Sequence, residues 1–416
     1  MKILLATYWA IPHVGGVWNY IVQLRKRLEA LGHEVDILGY DEENKSVYIL
    51  NENRKIDSDK LLPLLNAKLD AQTYPALHAN ELVKFTEFQR YVYELSAAYL
   101  GLDKYDVIHT QDVISTTSIN RVKPKNIPLV ASLHGSVAQE VRHQLTTTHK
   151  SNTSFMARVY FDELERLGAT SADVTIVANK WLREILMNEF QVPNEKIQVL
   201  HYGFDSEDFI KQSKINSAIV RPKDKKVIIY SGRLVELKGV QHLISALGEL
   251  KKIRGDWVCW IVGNGDHQAE LKTQSKVNGL DKDILFFGKR DDIPYLLANS
   301  DIFVLPSLLE NQSLSVIEAQ ILGKAIIVTD AGGLPEMVED GVTGLIIPTG
   351  DSKALCKKLN LLLKDGIYRQ KLGGNAKKWG MTYWSIDDNV KKLINVYHSA
   401  ISKHGKVEGN VLSNNN

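Results

Sequence analysis

Two acidic residues, Glu310 and Glu318, lie eight positions apart directly after an apolar segment, Ile302–Leu305, that reads as a strand ending at Pro306. Apolar residues at helical spacing follow, so we predict Glu310 in a loop and Glu318 on a helix. In an open parallel sheet, ligands bind beyond the carboxyl ends of the strands. Because two carboxylates would repel a bare phosphate, we expect them to accept hydrogen bonds from sugar hydroxyls. The alternative is a pair of solvated carboxylates favoured by the helix dipole.

Two basic residues, Arg233 and Lys238, lie in the turn between a predicted strand and the helix after it. Arg233 follows the predicted strand Lys226–Tyr230, and Lys238 precedes a predicted helix, so both cations can reach the same sheet edge. Arginine offers a planar fork to phosphate oxygens and lysine a mobile point charge. The pair could therefore hold a diphosphate leaving group without a metal ion. The alternative is a salt bridge from Lys238 to Glu236 or another surface acid.

Glycine turns and one histidine lie at strand ends in the amino-terminal half. Gly15 and Gly16 follow the first predicted strand, where paired glycines let the backbone approach a phosphate or a sugar, although a plain tight turn explains them as well. His134, followed by Gly135, ends the fourth strand and could bond a substrate hydroxyl or stabilise developing positive charge. A lone histidine is more often structural.

Further glycine turns follow strands of the carboxyl-terminal half. Gly263 and Gly265 form only part of a dinucleotide fingerprint, which is a weak signal by itself. Gly288 and Arg290 lie at a strand end where a nucleotide base could stack and bond to the backbone. The sequence therefore places several ligand-compatible turns in one half of the chain.

These residues depend on strands that alternate with helical segments, a pattern typical of α/β proteins with doubly wound parallel sheets. We predict an amino-terminal domain over 1–205 and a carboxyl-terminal domain over 206–386, which opens with a polar linker over 206–226. A helix over 387–404 is predicted to pack across both domains, and a disordered tail is predicted over 405–416. The predicted strands are Ile3–Thr7, Glu34–Leu38, Asp106–His109, Pro128–Leu133, Val174–Val177, Ile197–Leu200, Lys226–Tyr230, Val258–Val262, Ile284–Phe287, Ile302–Leu305, Ala325–Val328 and Gly344–Ile347.

Composition narrows the function classes. A chain of 416 residues with 44% hydrophobic and 24% charged residues is typical of a globular protein with two cores. Its 51 basic and 49 acidic residues create no field that would attract nucleic acid. Only Cys259 and Cys356 are present, so no disulfide framework is predicted and a cytoplasmic location is expected. We expect no transmembrane segment and no signal peptide, whereas attachment to a membrane surface through region 41–100 stays open.

The order of these motifs resembles glycosyltransferase family 4 over nearly the whole chain. The resemblance implies the GT-B fold, with two Rossmann-like doubly wound parallel-sheet domains facing across a cleft, and transfer of a sugar from a nucleoside diphosphate donor with retention of configuration. The donor would bind to the carboxyl-terminal domain. The motifs are Gly15-Gly16, His134-Gly135, Gly232-Arg233 with Lys238-Gly239, Val262-Gly263-x-Gly265, Phe287-Gly288, Pro306-Ser307, the spacing from Glu310 to Glu318, and Thr329-Asp330-x-Gly332-Gly333-x-Pro335-Glu336.

The resemblance also implies roles for particular residues. Arg233 and Lys238 would hold the diphosphate, Glu318 the ribose and Glu310 the donor sugar. Gly16 would let an amino-domain loop close on the phosphate, and His134 would face the reacting sugar. The implied catalytic residues are His134, Arg233, Lys238 and Glu310, and the implied donor-binding residues are Gly16, Gly232, Arg233, Lys238, Gly263, Gly288, Arg290, Glu310, Asn311, Gln312, Ser313, Leu314 and Glu318.

The sequence departs from the family at Asn311-Gln312-Ser313-Leu314, where relatives often have Gly-Phe-Gly, so the donor sugar is not assigned by analogy. No metal and no cofactor are expected, because the nucleotide sugar is itself the substrate. Asp57 and Asp59 imitate an Asp-x-Asp metal motif, but they lie in a polar stretch instead of at a strand end. A retaining transfer without an evident carboxylate nucleophile favours front-side displacement.

The expected function is transfer of a hexose-type sugar from a UDP-sugar to a hydroxyl of a small-molecule or glycan acceptor. UDP is expected because it is the commonest donor nucleotide in the family. The acceptor would bind loops within 41–100 and 139–155, whose sequences do not identify it. The main alternative is a UDP-sugar 2-epimerase on the same two-domain layout. A lectin would not need this set of charged residues, and a dehydrogenase would need a complete Gly-x-Gly-x-x-Gly fingerprint.

Overall fold

Two units make up the chain in a computed structural model of the protein, which describes residues 1–12, 15–50, 52, 54–146 and 150–413 and side chains as far as residue 404. The first unit combines residues 1–201 with the chain from 387 onward, and the second comprises Tyr202–Ile386. Residues 206–212, which we predicted as part of a linker, form a helix of the second unit. Residues 387–404, which we predicted to pack across both domains, group with the first unit.

The first unit contains an eight-stranded sheet in the order β4-β3-β2-β1-β5-β6-β7-β8. All pairs from β2 through β1 to β8 are parallel, whereas β3 pairs antiparallel with both β2 and β4. The strands are β1 (Lys2–Ala10), β2 (Glu34–Tyr40), β3 (Ser46–Leu50), β4 (Lys55–Asp57), β5 (Val107–Thr110), β6 (Leu129–Leu133), β7 (Val174–Val177) and β8 (Ile197–Val199).

Helices cover this sheet and occupy the two stretches predicted as acceptor loops. Region 41–100 holds β3, β4 and three helices, and region 139–155 holds helix ends together with residues 147–149, which lie outside the described part of the chain. The helices are α1 (Gly16–Ala30), α2 (Ser58–Lys68), α3 (Pro75–His78), α4 (Glu81–Leu100), α5 (Val113–Val122), α6 (Val137–Gln144), α7 (Ser154–Ser171) and α8 (Lys180–Asn188).

The second unit contains a six-stranded, all-parallel sheet in the order β11-β10-β9-β12-β13-β14. Its strands are β9 (Lys226–Ser231), β10 (Trp257–Val262), β11 (Ile284–Gly288), β12 (Ile302–Leu305), β13 (Ala325–Thr329) and β14 (Leu345–Ile347). Its helices are α9 (Ser206–Gln212), α10 (Val240–Lys251), α11 (Gln268–Val277), α12 (Ile293–Ala298), α13 (Leu314–Ile321), α14 (Ser352–Lys364) and α15 (Gly366–Tyr383).

The strand order of the second unit determines where a ligand can bind. The chain winds outward from β9 to β11 on one side and then from β12 to β14 on the other. Strands β9 and β12 therefore flank the topological switch point, where the connections diverge and leave a crevice at the carboxyl edge. The loops after these two strands carry the predicted charged residues.

The last helix, α16 (Ile386–Ser413), contributes apolar side chains to the first unit. Val390, Leu393, Val396, Tyr397 and Ala400 are all buried, at the spacing of one helical face. The helix extends into the segment predicted as a disordered tail, and residues 414–416 lie outside the described part of the chain. Among the described helices, none has both the length and the apolar character required to cross a membrane.

Candidate active site

The loops after β9 and β12 are joined backbone to backbone. The amide of Leu308 donates to the carbonyl of Leu237 at 2.8 Å. Gly239 has a φ of +67°, and a Cβ at this position would lie 1.9 Å from the carbonyl oxygen of Pro306. Only glycine fits this contact without displacing backbone, so Lys238 is held beside the loop that carries Glu310.

Lys238 and Glu310 form an ion pair across the switch point. The Nζ of Lys238 lies 2.6 Å from Oε2 of Glu310, and the two side chains are 17% and 12% exposed. The hydroxyl of Ser307 donates to the same carboxylate oxygen at 3.2 Å. Lys238 thus pairs with Glu310 and not with Glu236, which we had considered as its partner.

Arg233 and Glu310 both act electrostatically on a third residue, Tyr230. Its side chain is exposed, while its backbone carbonyl accepts a hydrogen bond from the hydroxyl of buried Tyr230 at 2.6 Å. Burial raises the pKa of Tyr230, the Glu310 carboxylate raises this pKa further, and the Arg233 guanidinium lowers it. The pKa of Tyr230 therefore depends on the charges of both Glu310 and Arg233. Arg233, Lys238 and Glu310 all lie in loops at one edge of the sheet.

Neighbouring glycine turns hold the rest of this edge. The Gly232 amide donates to Val262 at 3.0 Å, and the Gly263 amide donates to Gly288 at 2.8 Å, so the loops after β9, β10 and β11 are connected in series. Beyond β13, Gly332 has a φ of +59° and its Cβ would lie 1.9 Å from the carbonyl oxygen of Glu310. This close approach fixes the backbone of Glu310.

The loop that departs from the family pattern turns its polar side chains inward. The Oε1 of Gln312 accepts a hydrogen bond from the amide of Tyr202 at 3.0 Å. The Ser313 amide points to the sulfur of Met337 at 3.3 Å, and its hydroxyl lies 2.9 Å from that of Ser315. The side chains of Gln312 and Ser313 are therefore engaged in internal contacts.

The remaining residues of this loop are also packed. Asn311 is buried, and the half-buried Leu314 packs against the apolar core of the unit as the first residue of α13. Because these side chains are packed or hydrogen-bonded within the unit, an anion at this segment would bind to backbone N–H groups in the first turn of α13.

Glu318 lies one turn further along α13 and is half-buried. Within the described part of the chain, its carboxyl group takes part in no hydrogen bond or ion pair, and burial raises its pKa to about 8. A carboxyl group without a protein partner is suited to accept hydrogen bonds from a ligand.

Arg290, predicted to contact the donor, forms an ion pair within its own turn. Its guanidinium forms a bidentate ion pair with Asp292 at 2.6 and 2.7 Å, and this contact raises the pKa of Arg290. Gly288, two residues earlier, adopts a φ of +68° at the end of β11. The backbone carbonyl of Gly288 accepts a hydrogen bond from the Gly263 amide, so this turn adjoins the loop after β10.

In the first unit, His134 follows β6 and is a neutral residue. Its Nε2 lies 3.0 Å from Oε1 of Gln111, and burial lowers its pKa to about 3. The ring of Tyr20 packs edge-on at 5.3 Å between ring centroids. Since Tyr20 lies one turn after Gly16, the start of α1 is close to His134. Residues 13 and 14, next to the paired glycines, are outside the described ranges.

The sequence analysis did not identify two polar residues that hydrogen-bond to predicted site residues. Tyr230 holds the backbone of Arg233, and Gln111 contacts His134. Gln111 and Asp112 directly follow β5, so their position at a strand end could have marked them. Nothing in the local sequence indicated that Tyr230 would turn toward the loop.

The chain is similar to known glycosyltransferases over nearly its whole length. It is 26% identical to an uncharacterized glycosyltransferase of Methanocaldococcus jannaschii over 98% of this chain and 100% of the relative. Its fold is similar to that of sucrose-phosphate synthase from Thermosynechococcus elongatus, with a TM-score of 0.72, 20% identity, and coverage of 97% of this chain and 99% of that one. Anabaena HepE in complex with UDP-glucose gives a TM-score of 0.66 at 21% identity, covering 96% and 100%.

Family models match both units. Residues 14–208 match the model described as Glycosyltransferase Family 4, and residues 211–379 match the model described as Glycosyl transferases group 1. The two parallel-sheet α/β units agree with the GT-B architecture of the similar structures. Together with the charged groups gathered at the switch point, these matches show that the chain is a glycosyltransferase of GT-B type and belongs to glycosyltransferase family 4.

Proposed function

We propose that the protein transfers a hexose-type sugar from a UDP-sugar to a hydroxyl group of a small-molecule or glycan acceptor, with retention of configuration and without a metal ion. The observation that carries this proposal is the 2.6 Å contact between Lys238 and Glu310. A nucleotide sugar joins a diphosphate directly to a sugar carbon. A cation that binds the phosphate and a carboxylate that binds the sugar hydroxyls must therefore lie within a few ångströms of each other, as these two do.

Donor binding would exchange the ion pair for contacts with the ligand. Lys238 would turn to a phosphate oxygen, and Glu310 would accept hydrogen bonds from sugar hydroxyls. Exposed Arg233 would bind the same diphosphate. The half-buried Glu318 would accept hydrogen bonds from the ribose. UDP is the proposed nucleotide because the similar Anabaena structure was solved with UDP-glucose and because UDP donors are common in the family.

The chemistry would be a front-side displacement. The bond from the sugar carbon to the diphosphate oxygen breaks, the acceptor oxygen bonds to the same face of that carbon, and the leaving oxygen receives the acceptor proton. Arg233, Lys238 and the first turn of α13 would stabilise the leaving group, at about 3–4 kcal/mol for each well-placed donor. These positive groups are the basis for proposing a reaction that does not use a metal. Neutral His134 would avoid repelling the positive charge that develops on the sugar.

The decisive variant is Arg233→Ala. We expect turnover to fall by about 10²–10³-fold with donor at saturation, because the variant lacks one of the positive charges that would stabilise the leaving diphosphate. The fold should persist, since the Arg233 side chain is exposed and its structural hydrogen bond uses the backbone carbonyl. Lys371→Ala, which removes an exposed cation from α15, should leave turnover unchanged. Turnover of Arg233→Ala near that of the wild type would refute the assignment.

The donor and the reaction class require separate measurements. A thermal-shift screen of UDP-, GDP- and ADP-sugars should show the largest stabilisation with a UDP-sugar. NMR of the preferred donor incubated alone should show no new sugar nucleotide, since a 2-epimerase would convert the donor without an acceptor. NMR of the product formed with an acceptor should show the anomeric configuration of the donor; inversion would contradict the proposed displacement.

A further inference from the structure

Gln111 connects His134 to the backbone of β5. Its Nε2 donates to the carbonyl oxygen of His109 at 3.3 Å, and its Oε1 lies 3.0 Å from Nε2 of His134. The amide nitrogen of the Gln111 backbone donates to Ala6 at 2.8 Å. Gln111 is only 1% exposed, so these contacts are shielded from solvent.

These contacts determine which nitrogen of His134 carries the proton. A backbone carbonyl can only accept, so the Gln111 amide must direct its NH₂ group to His109 and its oxygen to His134. That oxygen in turn requires a donor, which must be the Nε2–H of His134. Because the ring is neutral, the lone pair is then on Nδ1.

Uncharged side chains pack against His134 and against its neighbour His109. Tyr20 on α1 packs edge-on against the ring. His109 on β5 is within electrostatic reach of it, and burial lowers the pKa of His109 to about 3. The His109 ring is held by Tyr397 and Ser132, each at 2.8 Å. These four neighbours are neutral near pH 7, and burial is the cause that lowers the pKa of His134.

We propose that Gln111 is a positioning residue that holds His134 as the neutral Nε2–H tautomer with a fixed ring orientation. This inference rests on the proposed function, in which His134 faces a sugar that becomes positively charged. A glutamate has the same shape as glutamine, but its charge would draw a second proton onto the ring. The uncharged amide fixes the tautomer without creating a cation that would oppose the reaction.

The tautomer can be measured without substrate. Long-range ¹H–¹⁵N correlation spectra of the full chain, with His134→Gln used for assignment, should show His134 protonated at Nε2 and not at Nδ1 near neutral pH. Gln111→Met keeps the approximate volume but removes the acceptor, so its spectrum should show a mixture of tautomers. A wild-type ring protonated at Nδ1, or an unchanged tautomer in Gln111→Met, would overturn the proposal.

Kinetics separate positioning from a packing role. In Gln111→Met, we expect kcat to fall by about tenfold to a hundredfold, with KM for the donor changed by less than about twofold. In Gln111→Glu, the carboxylate should raise the pKa of His134, so kcat should fall and should recover as pH rises and the imidazolium loses its proton. The wild type should show no such recovery. A pH profile of Gln111→Glu that matches the wild type would contradict the inference.

Controls make the outcomes distinguishable. Gln198→Met and Gln198→Glu introduce the same changes at an exposed position on β8 and should alter neither the His134 spectrum nor the kinetics. Circular dichroism verifies that each variant is folded. If the predicted tautomer is present but no nucleotide sugar is turned over, the proposed function fails while the assignment of the tautomer holds.

Discussion

At the scale of single residues, Glu318 and Glu310 show how two carboxylates on neighbouring segments differ. Glu310 has a cation and a hydroxyl as partners, whereas the Glu318 carboxyl has no hydrogen-bonding or ionic partner within the described residues and its pKa is raised to about 8. With this raised pKa, the Glu318 carboxyl group is largely protonated at neutral pH. A ligand that donates two hydrogen bonds to the ionised form would lower this pKa.

Nucleotide affinity should therefore depend on pH. In the proposed complex the ribose hydroxyls would favour ionised Glu318. Since the unliganded group has a pKa of about 8, binding should tighten as pH rises through 8 and weaken below it. We expect the Kd of UDP, measured by calorimetry, to fall roughly tenfold between about pH 6.5 and pH 9. Glu318→Gln cannot ionise, so it should show only the pH dependence of UDP itself. Identical pH dependence in both proteins would exclude Glu318 from the ribose site.

Glu310→Gln should separate nucleotide binding from sugar transfer. Loss of the carboxylate frees Lys238 from its ion pair, so we expect UDP to bind a few-fold more tightly, in line with about 1 kcal/mol for a partly exposed pair. Turnover should fall about a hundredfold, because contacts to the reacting sugar weaken.

Calorimetry with UDP and a steady-state assay measure these two effects. Glu249→Gln breaks an exposed pair with Lys252 in the same unit and should change neither. A loss of UDP affinity in Glu310→Gln as large as the loss of turnover would show that Glu310 acts on the nucleotide instead.

Among the elements, the sheet edge that carries Lys238 and Glu310 is a set of loops in backbone contact. Gly239 lets the turn before α10 reach the loop after β12, and Gly332 lets the turn after β13 reach Glu310. These contacts join segments that follow three different strands. The position of each charged side chain therefore depends on its neighbours' loops as well as on its own strand.

Gly239→Ala should disrupt this edge, and Gly279→Ala is its matched control. Both glycines have a φ of +67°, so alanine costs about 1–2 kcal/mol of backbone strain at either position. At Gly239 the new Cβ would also lie 1.9 Å from Pro306, whereas at Gly279 no atom lies within 4 Å. We expect Gly239→Ala to be less stable than Gly279→Ala by a further ~1–3 kcal/mol in denaturant unfolding, and to lose UDP affinity. Equal stability and affinity in the two variants would contradict this account.

The strands that we predicted are those with a clear local sequence pattern. All twelve predicted strands are present, because buried parallel strands are short apolar runs that can be recognised locally. Strands β3 and β4 were not predicted, since they are short, lie at an antiparallel edge and fall within a region that reads as polar loop. The pairing of β3 with β2, and of β4 with β3, provides a stabilisation that the segment itself does not indicate.

At the scale of the whole molecule, the first unit is built from both ends of the chain. Helix α16 follows the second unit in sequence, but its apolar face is buried in the first. Tyr397 on this helix contacts His109 at 2.8 Å, with both side chains buried. The carboxyl-terminal helix is thus linked to the strand ends near His134.

The substitution Tyr397→Phe tests how much the hydrogen bond between Tyr397 and His109 contributes to stability. Loss of the hydroxyl leaves Nδ1 of His109 unsatisfied in a buried position, at a cost of about 1–3 kcal/mol. We expect the Tm of the first unit in differential scanning calorimetry to fall by about 2–4 °C per kcal/mol. Tyr99→Phe, which removes an exposed hydroxyl from α4, should leave Tm unchanged. An unchanged Tm in Tyr397→Phe would show that the buried contact contributes nothing.

The α/β class, the strands, the family and the types of charged residue at strand ends can be read from the sequence, because they depend on local periodicity and on motif order. The pairing of Lys238 with Glu310 depends on the fold, since β9 and β12 are neighbours in the sheet although two strands separate them in the chain. The fold also gives Gln312 and Arg290 internal partners and places Gln111 in contact with His134. Hydrogen bonds and burial of this kind arise between segments distant in sequence, so no local pattern encodes them.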